Sequence, residues 1–516
     1  MDTHQSEILA GRSERNRVAL SAESKGQLRD RTVRGGVTNL IAQAASLLLQ
    51  LILSAILARL ILPSDFGLLA MAGTAVAFIS VLTTLGLTVP TIQSNSITQE
   101  QISTLFFLNA VGGIILFGVM SLAAPIFGYI FDDGRVPFLI ILLSLSIPIV
   151  SLTAQFSAVL ARNMRWLTIQ GINLSGQIVG GGTAVFLAWN GWGVYALIVQ
   201  STTSSLFVSI LIWLACPWRP SLLFNLRSVK SELAMSADML VFNLLNYAHR
   251  QADNLIIGGR WGALELGYYS RAYNLTTQAS SAVTGPLTNA LVPALSRLAD
   301  DSVRWRKVFL ESASVTAAVS GGLFATLWAV REPLVGILFG ERWGPVVPIL
   351  GYLAIAGLST SVCSAFSWAF ISLGRTRNQL YWILLASPVL VLAFWLGSPF
   401  GGLGVAISYA VAVFLLNFLY VAIALNGTPV TYVDGLSIKL MAYSGFGAVV
   451  LGSLTIGPYL SFESAIVRLL LNGALAGVSY VVVVTLAAVC IPACAGVQRL
   501  LRTVANKLKA PPRKNS

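Results

Sequence analysis

Fourteen long apolar runs follow one another along this chain, and no other feature limits its fold so severely. They occupy roughly 36–60, 66–90, 103–131, 137–161, 167–189, 193–216, 231–259, 267–296, 308–330, 346–373, 378–398, 402–425, 437–457 and 464–494. About 20 such residues carry a helix across a bilayer. Inside hydrocarbon the backbone finds no water, so only helices or closed barrels can span it. The runs are continuously apolar rather than alternating, which selects helices. Composition agrees: 56% of residues are hydrophobic, 10% are charged and the mean hydropathy is +0.77, against about 25% charged in a soluble domain. The sequence predicts an all-α integral membrane protein with about fourteen transmembrane helices.

Charge sets the orientation. If the chain starts inside and crosses fourteen times, 25 of the 33 Lys/Arg fall in inside segments. Outside turns hold only Arg135, Arg260, Arg331 and Arg342, and every lysine, Lys439 included, counts as inside. That asymmetry is the positive-inside pattern. It also accounts for the net charge of +13 without nucleic acid. The expected organisation is a cytoplasmic tail over 1–35, a first lobe of six helices over 36–216 and a cytoplasmic linker over 217–230. A second lobe follows over 231–425, then a further helix pair over 426–494 and a basic cytoplasmic tail over 495–516. The polar start contains no short apolar stretch with a cleavage site, so no cleaved signal peptide is expected. No inter-run segment is long enough for a catalytic domain outside the membrane.

Three landmarks recur in order, about 200 to 213 residues apart. Arg59 to Gly67 (RLILPSDFG) matches Arg260 to Gly267 (RWGALELG). Gly191-Trp192-Gly193-Val194 matches Gly402-Leu403-Gly404-Val405, and Arg162/Arg165 matches Arg375/Arg377. Each recurs on the same predicted side, which describes two parallel six-helix repeats related by an axis along the membrane normal.

The same segments, with ITQEQISTLFFLN from Ile97, LARNMRW from Leu160, DNLIIGGRWGALELGYYSRAYNL from Asp253 and LVPALSRLADD from Leu291, resemble the polysaccharide-transporter branch of the MOP flippase superfamily. Within it the chain looks like the Wzx-type oligosaccharide-lipid flippases of the WzxC/ExoT kind, over roughly 36–425. The resemblance implies a V-shaped pair of lobes alternating access to a central cavity. It implies a bacterial inner-membrane location with both termini cytoplasmic. The implied cargo is an undecaprenyl-pyrophosphate-linked oligosaccharide moved from the inner to the outer leaflet, with a coupling ion, H+ or Na+. Membrane lipids, the polysaccharide polymerase and the export machinery are the implied partners.

Charges within spans cost about 2.5–3.5 kcal/mol on insertion scales, so they face a cavity or a partner. The seventh run holds His249, Arg250 and Asp253. Arg250 and Asp253 stand at i, i+3 on one face. They are either a mutually neutralising pair or a cavity face, where Arg250 meets anionic cargo and Asp253 holds or exchanges the coupling ion. Arg59 and Arg260 end the first helix of each repeat. They are read either as snorkelling helix-end anchors or as symmetric contacts to a pyrophosphate, for which a forked guanidinium is well suited. In related lipid II flippases an arginine of the first helix handles substrate, and Arg59 resembles it. Arg271 is a further candidate cavity residue, and Arg468 reads as structural. Pro90 and Pro293 are candidate kinks.

Other classes fare worse. Asp132-Asp133 resembles the paired acids of a membrane glycosyltransferase or polymerase, but its turn is short and reads as solvated. A multidrug or cation antiporter of the same superfamily would want an acid-rich cavity. Cys490 and Cys494 are spaced to share a helix face, yet no His or acid accompanies them, so no metal is expected. No phosphate-binding loop, nucleophile triad or dinucleotide motif is present. The chain reads as a transporter without cofactor, not an enzyme.

Overall fold

Helix follows the apolar runs wherever the backbone can satisfy itself only along its own axis. The computed structural model describes residues 28–83, 87–94, 97–456, 464–494 and 496–499, and among them there is no strand. The first helix, α1, runs Leu28–Leu60, so the last residues of the expected tail are already helical. Then come α2 (Pro63–Thr83), α3 (Thr88–Gln93), α4 (Gln99–Phe131), α5 (Val136–Ser144), α6 (Ser146–Arg162), α7 (Trp166–Trp189) and α8 (Val194–Ala215). The long α9 (Lys230–Ser296) is followed by α10 (Ser302–Ala329), α11 (Arg331–Leu338), α12 (Val346–Ser372), α13 (Thr376–Gly397) and α14 (Gly401–Leu425). The last two are α15 (Tyr432–Thr455) and α16 (Ala465–Cys490). Every apolar run falls on helix within the described residues, an order consistent with fourteen crossings. Nine described segments are long and apolar enough to span a membrane, one of which, Arg377–Leu425, contains both α13 and α14.

By Cα proximity the chain divides into two compact units, one ending at Gly267 and one beginning at Tyr268. The helix α9 passes from one to the other. Its non-helical residue is Gly262, at φ 77° and ψ −171°, a conformation only glycine adopts freely. The bend therefore sits at Gly262, while Pro293 lies inside helical backbone. Pro90 lies in α3.

In the first unit, the turn between α1 and α2 meets the bend of α9 without side chains between them. A Cβ on Gly67 would stand 1.6 Å from the Ala263 carbonyl oxygen, and one on Gly267 would stand 2.0 Å from that of Pro63. Gly67 and Gly267 are equivalent positions of the repeat, as are Pro63 and Ala263. The contact is reciprocal, each glycine standing against the backbone of the other copy's landmark. Nearby, α7 uses Gly180 and Gly181 to approach Gln200 of α8 and Leu53 of α1, the close small-residue packing typical of helices in lipid.

Helix ends explain the arginines. Leu160, Ala161, Met164 and Arg165 close α6 in a Schellman motif, with Arg165 N–H donating to Leu160 O at 3.0 Å and Met164 at φ 54°. Phe370, Ile371, Gly374 and Arg375 close α12 the same way, with Arg375 N–H donating to Phe370 O at 2.7 Å and Gly374 at φ 68°. Three guanidiniums take carbonyls orphaned at helix ends. Arg162 donates to Thr91 O and Ser94 O at 3.0 and 2.8 Å. Arg375 donates to Asn426 O and Gly427 O, and Arg219 donates to Cys216 O and Trp218 O. The helix-starting ends are closed by capping boxes, Thr98 with Gln101 on α4 and Thr431 with Asp434 on α15. The expected linker is fastened rather than loose. Trp218 Nε1 donates to Gln99 Oε1 at 2.7 Å, and Asn225 N–H donates to Thr104 Oγ1 at 3.1 Å.

The second unit is built on one aromatic core, in which Trp305 stacks on Phe309 at 4.8 Å and Trp305 Nε1 donates to Ser372 Oγ at 3.2 Å. The helices α15 and α16 belong to that core. Tyr480 of α16 wedges against Gly321 of α10 and Gly445 of α15. Lys439 departs from its expected place in an inside loop. It lies two turns into α15, is 1% exposed, and its ammonium has no hydrogen-bond acceptor among the described residues. It rests on the Phe418 ring at 4.1 Å.

Two outcomes follow from this packing. Gly67→Ala must displace the Ala263 backbone. Such overpacking costs about 1–3 kcal/mol, so thermal unfolding in detergent is expected at a clearly lower midpoint, while Gly73→Ala, with nothing within 4 Å, leaves it unchanged. Lys439→Met is expected to match or raise the wild-type midpoint, because replacing a buried charge by an apolar group of similar volume is neutral or stabilising by about 1–4 kcal/mol. A lower midpoint for Lys439→Met would mean that the ammonium contributes to folding.

Candidate functional site

Polar residues enter the interior of the first unit along one stretch of α9. Asp253 is 2% exposed, although its helix is bounded by apolar turns. Its Oδ1 accepts from the Asn254 N–H at 2.8 Å. One turn away the amides form a chain, in which Asn254 Nδ2 donates to Gln251 Oε1 at 2.7 Å and Thr74 Oγ1 of α2 donates to the same oxygen at 3.2 Å. A carboxylate is thus buried on a membrane helix, with hydrogen-bonded amides on the same stretch. A carboxylate so placed can accept a proton or join carbonyl oxygens around a small cation.

The arginines distribute differently. Arg250, expected beside Asp253, is exposed while Asp253 is buried, so the two face different surroundings. Arg59 is exposed in the last turn of α1, and Arg260 is exposed two residues before the Gly262 bend. Arg271 lies partly buried in the second unit, in the turn between Tyr269 and Tyr273, whose rings stack at 6.1 Å. The side chain of His249 falls outside the described residues.

The Asp132-Asp133 turn is structural in geometry. Asp132 adopts the left-handed conformation at φ 50° that ends α4. Asp133 is gripped by Arg135, whose Nη2 and Nε stand 2.7 and 3.0 Å from its two oxygens. That hydrogen bond holds the Asp133 carboxyl below the ordinary range. Whatever stability the pair adds is present above about pH 4 and fades as acid protonates the carboxylate. The cysteine pair is corrected outright. The helix ends at Cys490, which is exposed, and Cys494 lies buried in a short 3-10 turn beyond it, so the thiols share no helix face. Arg468 pairs with Glu332 at 3.4 Å, as a structural residue would.

Sequence reading passed over Thr74, Gln251 and Asn254, whose side chains bond to one another on the stretch that carries Asp253. Uncharged polar residues are common in apolar runs, and only their convergence marks them.

Residues 56–348, more than half of the chain, match the family described as polysaccharide biosynthesis protein. Over 391 residues the chain is 25% identical to the lipopolysaccharide biosynthesis protein WzxC of Escherichia coli strain K12, covering 74% of this chain and 78% of that one. It is 25% identical over 388 residues to the succinoglycan biosynthesis transport protein ExoT of Rhizobium meliloti, again covering 74% and 78%. Among solved structures, the lipid II flippase MurJ in an inward closed conformation superposes with a TM-score of 0.70 at 12% identity, over 87% of this chain and 98% of that one. An inward-facing multidrug transporter of the MATE family and MOP superfamily superposes at 0.53 with 14% identity, over 74% of this chain and 97% of that one. The matched span covers more than half of the chain, and this chain is a member of the polysaccharide biosynthesis protein family, with a fold shared with MurJ and the MATE transporter.

Proposed function

We propose that the chain is a flippase. Its cargo is an undecaprenyl-pyrophosphate-linked oligosaccharide repeat unit, moved from the inner to the outer leaflet of the bacterial inner membrane. Transport proceeds by alternating access, coupled to H+ or Na+, and feeds the polymerase and export machinery of an exopolysaccharide or lipopolysaccharide. Both termini lie in the cytoplasm, and the two six-helix repeats are the moving parts. The observation that carries this reading is the buried Asp253 carboxylate on α9, in a chain of this family. A charge there costs about 2.5–3.5 kcal/mol on insertion, and exchange of a proton or small cation during the cycle is the role this reading gives it. The fold alone extends to multidrug transporters, whereas the family match favours polysaccharide cargo.

In this reading Arg59, Arg250, Arg260 and Arg271 handle the pyrophosphate at successive stages, and Asp253 carries the coupling ion. Guanidinium forks match phosphoryl oxygens. Arg162, Arg219 and Arg375, which bind helix-end carbonyls on the predicted inside, and Arg331, which donates to Trp328 O at the end of α10 on the predicted outside, are left out of the cargo path.

Asp253→Asn is expected to reach the membrane at normal levels and to lose polymer export driven by the ion gradient. Normal export by that variant would make Asp253 structural. Charge-assisted hydrogen bonds contribute about 1.5–3 kcal/mol, so Arg59→Ala is expected to weaken cargo binding roughly tenfold or more. Arg59→Lys should recover only part of this, because it lacks the fork. The measurement is polymer export at matched membrane levels. Wild-type behaviour in both variants would make Arg59 an interfacial anchor.

A further inference from the structure

A cavity of about 480 Å³ opens in the second unit where the start of α10, the segment before α15 and the residues after α16 converge. Its polar wall is Arg306, Lys307, Arg499, Glu311 and Ser302, and its apolar wall includes Leu310 and Pro492. Three cations therefore face one space against a single lining carboxylate.

Two of these cations are paired, but weakly. Arg306 Nη2 stands 2.8 Å from Asp434 Oδ2, and Arg499 Nη1 stands 2.6 Å from Glu311 Oε1, with both arginine side chains more than 40% exposed. Exposed pairs of this kind contribute little to stability, and each guanidinium carries five donors, more than one carboxylate can accept. Asp434 is also engaged by Thr431, from which it accepts both the N–H and the hydroxyl within the α15 capping box. Lys307 is exposed and forms no ion pair among the described residues. Lys307 and the donors of Arg306 beyond Asp434 thus face the space, with Arg499 adding charge beside them, next to apolar surface that a purely aqueous ion would not use.

We propose that this cavity binds a phosphate anion, and that its source is the phosphodiester headgroup of an anionic phospholipid in the leaflet bordering the cytoplasm. The residues are suited to both halves of such a molecule: Arg306, Lys307 and Arg499 face the phosphate oxygens, and Val303, Leu310 and Pro429 face the glycerol and first methylenes. Basic pockets between helices at the cytoplasmic face hold lipid headgroups in this way. The choice of leaflet rests on the orientation proposed above; the binding chemistry does not.

The experiment uses the full chain purified in detergent. Its apparent melting temperature is followed as phosphatidylglycerol, phosphatidylcholine or inorganic phosphate is added. Phosphatidylglycerol is expected to raise the melting temperature in a saturable way and phosphatidylcholine is not. Lys307→Gln, which breaks no ion pair, and Arg499→Gln are each expected to raise the half-saturating phosphatidylglycerol concentration about fivefold. Equal effects of the two lipids, or variants that respond like the wild type, overturn the proposal. An equal shift from inorganic phosphate alone overturns the lipid source and keeps the anion site. The orientation is read separately, from labelling of Lys307→Cys in a Cys490→Ser background by a membrane-impermeant maleimide. Labelling in inverted vesicles alone is expected, and labelling from the outer face alone overturns the leaflet assignment without touching the micelle result.

Discussion

Every backbone N–H and C=O of a chain dissolved in hydrocarbon must be answered from within the chain, and the rest of this structure depends on how that is done. Within a helix the ladder does it automatically. At helix ends it does not, because the last carbonyls have no partner further along. The protein answers with Schellman motifs after α6 and α12 and with guanidiniums. Arg162, Arg219 and Arg375 each bridge two carbonyls. The charge asymmetry that reports topology is therefore partly a backbone requirement. All three lie on the predicted inside, where the even-numbered crossings finish and present their carbonyls.

The same requirement governs how helices meet. With no gain from burying one apolar face against another in lipid, close approach and matched shape decide contact. The reciprocal contacts of Gly67 with Ala263 and Gly267 with Pro63 are the sharpest instance, since no Cβ fits at either glycine. They also give the sequence repeat a physical content. The landmark pairs were legible as spacing; what spacing could not convey is that one pair touches its own repeat, or that Arg162 and Arg375 do equivalent work. The Gly191 and Gly402 match was looser. In the first copy Gly191 and Gly193 take positive φ, in the second Gly401 does, and α14 begins four residues earlier in the match than α8.

Charge was legible by residue and span, and only partly by surroundings. Asp253 stood out because an acid in an apolar run is expensive. Its neighbours did not, because Thr74 lies far away in sequence and i, i+3 spacing favoured Arg250. Spacing fixes the angle between two side chains on a helix. It leaves open which of them faces a neighbouring helix, and here Asp253 does and Arg250 does not. Lys439 was misplaced by the same blindness. A lysine near the start of an apolar run reads as a loop charge. Here the capping box at Thr431 starts the helix early and carries the ammonium in among Phe418 and Tyr443. Cys490 and Cys494 failed at the opposite end, where the helix stopped before the second thiol.

These placements sort the basic residues by task, which net charge cannot do. Arginines on helix-end carbonyls are fixed by those bonds, and moving one to a cargo phosphate would leave carbonyls unanswered at the membrane surface. Arg135 is bound twice to Asp133 and closes a turn. Lys439 sits on aromatic rings with no route to an anion in this arrangement. On α1 and α9, Arg59, Arg250 and Arg260 are exposed, whereas Arg271 is half-buried, as Arg162, Arg219 and Arg375 are. An anion approaching from water or from a headgroup layer can meet a guanidinium only where the guanidinium is exposed. Arg59, Arg250 and Arg260 meet that condition more fully than the half-buried Arg162, Arg219, Arg271 and Arg375.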